Sequence, residues 1–476
     1  MKLETWAALV AFGCALSCST RYAETAKPGP EAGSGGAPAC TRSFAERFSY
    51  ITVTLSENIR AKAPAYDWLP RDERLALSIG TDQKPSVAWL NNAGDTVHIS
   101  SFDNDGTFLR PDVALPSSEV GGLIADSDGF ALLTSGPDPG EALQDPNQGN
   151  IVPNRAALLS RYRNGELAFK VPLTGTAQTT DLTGDDRRDC TPMPLVGRLA
   201  GGSARYGAYF AVHGCAGHPH ASYYSDKLAY VSASGAHVGG GFYWVCSDTA
   251  GLSLLPESGA FTSSCVSDGE PAPGLNLVFE SSSAQLSPEA HASGYVGGQF
   301  GAVVKMSDGS YVVGWTSRGT ADADSRVAAK DNPDIAFMVL APDYSVRTTK
   351  MWLSDTPEIA EYNLHVAPYG PSRVLFIWDS VLVNLRRGET GFGQFQGTFT
   401  QLFDIHGNAL GAPEQLNAPG NASPNSGDDI AVYKNGDLGW AWVDAPRDYQ
   451  EQLRPEAVSS LPPVRTLKIA RLKYCE

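Results

Sequence analysis

The sequence predicts an all-β fold, a seven-bladed β-propeller whose ring is closed by an N-terminal strand. The chain has 476 residues with 49 Gly and 32 Pro, and 18% of its residues are charged. This composition is typical of many short strands joined by tight turns. A hairpin pattern recurs along the chain, and one further strand precedes its first copy.

The hairpin pattern consists of a tight turn, an apolar strand, a variable connection, a second strand and a second tight turn. In its clearest copy, the turn 307–309 precedes a strand over 310–315, and a strand over 335–340 is followed by a second turn at Asp343 and Tyr344. The other copies place their first strands at 87–89, 130–133, 208–212, 260–265, 374–378 and 438–442, and their second strands at 97–102, 157–162, 228–231, 275–280, 399–403 and 466–472. A β-sandwich with a second β domain is the alternative, but no change in composition divides the chain.

The last copy ends after its strand at 466–472, so its outer strand is missing from the C-terminal end. Residues 49–55 form a predicted strand that belongs to no copy of the pattern. We therefore expect this N-terminal strand to complete blade seven. Cys40 and Cys475 would then lie together, and a disulfide between them would close the ring.

The N-terminal region has the features of an export signal. Lys2 precedes an apolar run at 6–16, which is too short to span a bilayer as a helix. The segment 15–18 is similar to the lipobox of bacterial lipoproteins, in which the cysteine is acylated and becomes the mature N-terminus. The resemblance implies a signal peptide over 1–17 and lipidation of Cys18, which would anchor the protein to the bacterial cell envelope. The composition of the stretch 26–39, rich in Pro, Gly, Ser and Ala, predicts a flexible tether over 18–40, and the hairpin pattern predicts a propeller over 41–476. Ordinary secretion is the alternative, since Leu16 stands one position nearer the cysteine than in that motif.

The remaining cysteines fit an oxidising compartment. Once Cys14 and Cys18 are set aside, an even set is left, namely Cys40, Cys190, Cys215, Cys246, Cys265 and Cys475. Six cysteines allow about fifteen connectivities. The blade layout favours Cys190 with Cys215 inside blade three, and Cys246 with Cys265 across the boundary between blades three and four.

A histidine-rich loop is a candidate zinc or copper site. His213, His218 and His220 lie close in sequence, and Tyr223, Tyr224 and Asp226 follow them. Imidazole nitrogens are common ligands of both metals. The alternative is a set of solvated loop histidines.

An acidic segment is a candidate calcium site. Asp181, Thr183, Asp185 and Asp189 place oxygen atoms at alternating positions, with the Arg187 carbonyl as a further donor. The segment resembles the calcium loops of FG-GAP-type and dockerin-type repeats, and that resemblance implies calcium binding. A solvated acidic turn is the alternative.

Two further patterns favour structural roles. Residues 101–108 resemble the Asp-box of sialidase-type propellers, but the position of Gly106 indicates a hairpin turn. Tryptophans near strand ends can stack on sugars or fill the space between blades, and we expect the second role. These residues are Trp89, Trp315, Trp378 and Trp442.

The two faces of the predicted ring differ. Within a blade, strands A to D run from the inside to the outside, so A–B and C–D turns share one face, here called the plain face. B–C and D–A connections share the other, here called the decorated face. The long B–C connections are predicted at 135–154, 214–227, 317–334, 379–397 and 444–464. Binding residues concentrate on such loops when a rigid scaffold holds them.

The sequence favours a binding function. Its net charge of −16 argues against nucleic acid as a partner. It contains no GxSxG, HExxH, Walker or GxGxxG motif. We therefore expect a non-enzymatic scaffold that recognises a protein or glycan through its decorated face. The alternatives are an extracellular glycan hydrolase or lyase with carboxylates from separate blades, and a metal-dependent protein.

Overall fold

The structure is a computed structural model, and it describes only part of the chain. The described residues are 42–61, 74–137, 143–144, 151–152, 155–174, 189–190, 197–201, 204–214, 224–243, 245–246, 251–257, 260–267, 274–279, 282–288, 291–292, 295–296, 300–317, 319, 332–354, 359–382, 394–416, 422–425, 427–443 and 463–475. The predicted signal peptide and the tether up to residue 40 lie outside them. Within the described residues, no helix is long and apolar enough to cross a bilayer.

The chain enters the ring through one short helix and a long strand. Helix α1 (Phe44–Arg47) is followed directly by strand β1 (Phe48–Ile59). A capping box stabilises the start of α1, because the Ser43 hydroxyl accepts a hydrogen bond from the Glu46 amide while the Glu46 carboxylate accepts one from the Ser43 amide.

The strands form antiparallel sheets that are the blades of a seven-bladed β-propeller. Blade one contains β2 (Ala76–Ile79), β3 (Pro85–Leu90), β4 (Thr96–Ser101) and β5 (Val113–Pro116). Blade two contains β6 (Glu119–Asp126), β7 (Gly129–Pro137), β10 (Arg155–Arg163) and β11 (Glu166–Pro172), with the small hairpin β8 (Leu143–Gln144) and β9 (Ile151–Val152) in its B–C connection. Blade three contains β13 (Gly197–Gly201), β14 (Arg205–Gly214), β15 (Tyr224–Ser232) and β16 (His237–Tyr243), and β12 (Asp189–Cys190) adds to β14.

The remaining blades follow the same order. Blade four contains β17 (Gly251–Pro256), β18 (Phe261–Ser267), β19 (Gly274–Phe279) and β20 (Ser282–Pro288), and a small hairpin of β21 (His291–Ala292) and β22 (Tyr295–Val296) follows it. Blade five contains β23 (Phe300–Lys305), β24 (Tyr311–Ser317), β25 (Asp334–Leu340) and β26 (Val346–Trp352). Blade six contains β27 (Ile359–Pro368), β28 (Arg373–Leu382), β29 (Gln394–Asp404) and β30 (Glu414–Gln415). Blade seven contains β31 (Ala431–Val432), β32 (Leu438–Val443), β33 (Val464–Leu472) and β1.

The predicted fold is therefore confirmed, and the alternative of a sandwich with a second domain is wrong. Strand β1 pairs antiparallel with β33 in a register that runs from Phe48 opposite Leu472 to Thr54 opposite Thr466. The N-terminal strand is thus the outer strand of blade seven, as the missing strand of the last hairpin predicted.

Apolar side chains fill the spaces between neighbouring blades. At the ring closure, Val53 and Leu55 of β1 pack in one cluster with Trp89 of blade one and Val443 of blade seven. The four tryptophans considered for sugar stacking are all buried, so their expected role between blades is confirmed. The ring closes through its core as well as through backbone pairing.

Tight turns recur on the plain face. Several of these turns share two backbone hydrogen bonds. The amide of residue i donates to the carbonyl of residue i+4, and the amide of residue i+3 donates to the carbonyl of residue i. Residues 103–107 form such a turn, which confirms a hairpin turn at the Asp-box-like segment. Gly436 has a φ of 86°, and a Cβ atom there would lie 2.9 Å from the Tyr474 ring. Glycine is needed at this turn for its backbone conformation and for its close contact with Tyr474.

Candidate functional site

The inner strands begin on the decorated face, where charged side chains from separate blades meet. We call Arg74, Arg198, Asp428 and Asp429 the inner charge cluster. The Arg74 Nε lies 3.3 Å from Asp428 Oδ1, and the Arg198 Nε lies 3.2 Å from Asp429 Oδ1. Arg74 also donates a hydrogen bond to the carbonyl of Gly197 in blade three. The cluster therefore connects blades one, three and seven at the points where their inner strands begin.

Burial sets the electrostatics of this cluster. The side chain of Asp428 is 3% exposed, whereas that of Asp429 is 58% exposed. Burial, together with the nearby positive charge of Arg198, lowers the pKa of Arg74 to about 10, although Asp428 opposes the shift. Burial likewise raises the pKa of Asp428. Each arginine of the inner charge cluster faces one carboxyl group, so the cluster contains paired rather than isolated charges.

A second polar network joins blades six and seven on the same face. The Asp379 carboxylate at the decorated-face end of β28 accepts hydrogen bonds from Ser423 at 2.6 Å, Thr398 at 3.0 Å and Asn363 at 3.3 Å. His365 Nδ1 donates to the Asp428 carbonyl at 2.8 Å, which connects the network to the inner charge cluster. Buried carboxylates are stable when hydrogen bonds satisfy them in this way.

Asp226 forms a third buried anchor at the start of β15. Its carboxylate accepts hydrogen bonds from the Tyr209 hydroxyl at 2.6 Å and from the amides of Val245 and Cys246 at 2.8 Å each. Burial raises the pKa of Asp226. The structure joins Cys246 to Cys265 by a disulfide with a Cα–Cα distance of 6.6 Å.

Asp226 and the two sulfur atoms lie close enough together to suggest a metal site. However, the sulfurs are bonded to each other, and the carboxylate already accepts several hydrogen bonds. A disulfide offers no thiolate to a metal. The geometry therefore indicates a structural clamp between blades three and four, and Asp226 is engaged in it.

The histidine loop lies mostly outside the described residues. His213 is in β14, where its backbone pairs with Tyr224 of β15, and nothing is described of its side chain. Cys215, His218 and His220 lie outside the described residues. The zinc or copper site stays a prediction.

The acidic loop is described only at its end. Asp181, Thr183 and Asp185 lie outside the described residues, whereas Asp189 is in β12, opposite Gly214. Cys190 lies opposite His213, so the structure brings the end of the acidic loop beside the start of the histidine loop. The calcium site and the pairing of Cys190 with Cys215 stay predictions.

The chain-end cysteines are described on one side only. Cys475 is disulfide-bonded, and Cys40, its predicted partner, lies outside the described residues, as does Cys18. Their pairing and the lipidation of Cys18 stay predictions.

The structure also reveals a feature that the sequence patterns missed. Trp352 ends β26 on the decorated face with 37% of its surface exposed, and Lys350 Nζ lies 4.6 Å from the centre of its ring. Lys350 also donates a hydrogen bond to the Ser317 hydroxyl at 2.7 Å. On neighbouring blade six, Leu382 ends β28 on the same face with 38% exposure. An exposed tryptophan of this kind is a typical anchor at binding surfaces, and the leucine adds apolar surface on the neighbouring blade.

Comparisons with known proteins do not identify a family or a function for the chain. No family model matches the chain, and no curated protein matches it. The solved Dos1 propeller is 12% identical, with a TM-score of 0.43, over 89% of this chain and 85% of that chain. A Penicillium chrysogenum alpha-L-arabinanase complexed with arabinobiose is 9% identical, with a TM-score of 0.41, over 88% of this chain and 98% of that chain.

A Dyadobacter fermentans protein of unknown function is 10% identical, with a TM-score of 0.40, over 90% of this chain and 100% of that chain. All three scores are too low to support an argument about activity. The class of protein is a seven-bladed β-propeller, and that assignment rests on the sheet topology.

Proposed function

We propose that this protein is an exported, lipid-anchored, non-enzymatic scaffold whose decorated face binds a protein or glycan in the cell envelope. The observation that carries the proposal is the pair of exposed apolar side chains, Trp352 and Leu382, at the decorated-face ends of adjacent blades. A tryptophan with an exposed ring offers a large contact area to a sugar or an apolar side chain. Export and anchoring rest on the signal-like segment, Cys18 and the tether in the sequence.

The described polar groups on this face support a scaffold because they hold blades together. Arg74 and Arg198 face Asp428 and Asp429, and Asp379 accepts three hydrogen bonds. Groups engaged in this way rigidify the described strand ends on this face.

An extracellular glycan hydrolase or lyase is the second candidate. Glu119, Asp334 and Glu361 are buried at the decorated-face ends of strands in blades two, five and six. Glycoside hydrolysis uses a pair of carboxyl groups, which separate blades can supply.

The test compares two exposed positions in the same strand. Trp352→Ala removes the aromatic ring at the decorated-face end of β26, and Val346→Ala removes an apolar side chain at its plain-face end. Ligands are sought on an array of defined oligosaccharides, and among envelope proteins with a photo-cross-linking residue at position 382. We expect Trp352→Ala to weaken saturable binding by about tenfold or more, the loss typical of an aromatic anchor, and Val346→Ala to leave it unchanged.

Equal weakening in both variants would contradict the assignment of the decorated face. Release of new reducing ends from a bound oligosaccharide would favour the hydrolase instead. Glycan binding and protein cross-linking separate the two ligand classes.

A further inference from the structure

Both ends of the described chain lie on the plain face. Strand β1 begins there, because Phe48 pairs with Leu472 at the plain-face end of β33. The Lys473 amide donates a hydrogen bond to the Arg47 carbonyl at 3.2 Å, so the two chain ends run side by side. The long B–C connections leave from the opposite face.

The start of the ring is firmly attached at this face. The Phe44 amide donates a hydrogen bond to Glu414 Oε2 at 2.9 Å. The buried Arg47 guanidinium donates to the Lys473 carbonyl at 2.9 Å and to the Tyr369 hydroxyl, and it lies over the Phe44 ring. A segment that precedes Arg42 is therefore joined to the ring at the plain face, where these contacts hold helix α1 in place.

The lengths involved favour one orientation. The predicted tether over 18–40 has 23 residues, and a flexible chain of that length spans about 24–29 Å on average. Strand β33 has nine residues, and nine residues of strand extend about 30 Å between the two faces. Bringing the decorated face to the bilayer would stretch the tether beyond its average span, at a cost in chain entropy.

We propose that the plain face is the membrane-proximal side of the protein and that the decorated face points away from the membrane, where a ligand approaches it. This orientation rests on the proposed lipid anchor. It assigns the ligand to the space beyond the propeller rather than to the lipid surface.

The test uses the full chain, expressed with its signal and reconstituted into phosphatidylcholine vesicles that carry an acceptor dye on the headgroup. A donor dye is attached through Ala233→Cys in the C–D turn of blade three, or through Ala93→Cys in the B–C turn of blade one. Both alanines are exposed residues of tight turns, so the variants are matched. We expect about twofold more energy transfer from position 233, because a strand length of about 25 Å or more separates the two faces.

Equal transfer from the two positions, or more from position 93, would overturn the orientation. Flotation with the vesicles tests the anchor separately, with Cys18→Ser as the control. A wild-type chain that fails to float contradicts the anchor, and the orientation falls with it. Flotation with equal transfer contradicts the orientation alone.

Discussion

A chain that lacks residues 1–61 should not fold cooperatively, whereas a chain that lacks only residues 1–41 should. The shorter deletion leaves α1 and β1 in place. The longer one removes the outer strand of blade seven and leaves the β33 edge without its partner. It also removes Val53 and Leu55 from the cluster that contains Trp89.

The expected effect is large compared with the stability of a folded protein. Deleting one buried leucine side chain costs about 2–5 kcal/mol, and the net free energy of unfolding is typically about 5–15 kcal/mol. Removing a whole strand together with its buried side chains should exhaust that margin. An exposed strand edge also promotes aggregation.

Thermal unfolding followed by near-UV circular dichroism, together with size-exclusion chromatography, measures the difference. Both truncated chains lack Cys40, so the predicted disulfide cannot account for it. A synthetic peptide of residues 42–61 should restore a cooperative transition to the longer deletion. Identical unfolding midpoints for the two truncations would show that β1 is dispensable.

The second large effect is expected at the inner charge cluster. Arg74→Met leaves the buried Asp428 carboxylate without its arginine. Removing one partner of a buried ion pair typically costs about 3–5 kcal/mol. The matched control is Arg198→Met, whose partner Asp429 is exposed to water. We expect the control to lose less, because Asp429 stays in contact with water when its arginine is removed.

The loss should depend on pH with a defined sign. Burial raises the pKa of Asp428 in the folded protein, and Arg74 opposes that shift. A carboxyl group with a raised folded-state pKa favours folding below its unfolded pKa of about 4, and this contribution is lost as the pH rises through the folded value. The deficit of Arg74→Met should therefore be larger at pH 7 than at acidic pH.

Chemical denaturation of the wild type, both variants and Arg74→Met with Asp428→Asn measures these differences in the free energy of unfolding. The double variant should recover most of the deficit at pH 7, because it carries no uncompensated buried charge. Equal losses for Arg74→Met and Arg198→Met would contradict the role assigned to burial of Asp428.

The sequence was sufficient for the fold because the determinants of each hairpin are local. Turn residues such as Asp308 and Gly309 stand directly before alternating apolar strands, and the pattern predicts each pair of strands. The closure by β1 followed from counting strands at the two ends of the chain.

The candidate site was less accessible to sequence reasoning. Arg74, Arg198 and Asp428 are far apart in the chain and form no motif, and only the closed ring brings their side chains together. Trp352 differs from the buried tryptophans because it ends an outer strand, and its exposure is set by that position. The metal-site predictions fall mainly on loops outside the described residues. They rest on the spacing of histidine and acidic residues in the sequence.

Native-state hydrogen exchange of the β1 amides tests the closed ring most directly. In a ring closed by its N-terminal strand, the hydrogen-bonded amides of β1 should exchange only when those of β33 do, with the same free energy of opening and the same dependence on denaturant. Exchange of β1 at a much lower free energy, while β33 and β32 stay protected, would show that the strand detaches on its own and would contradict the account.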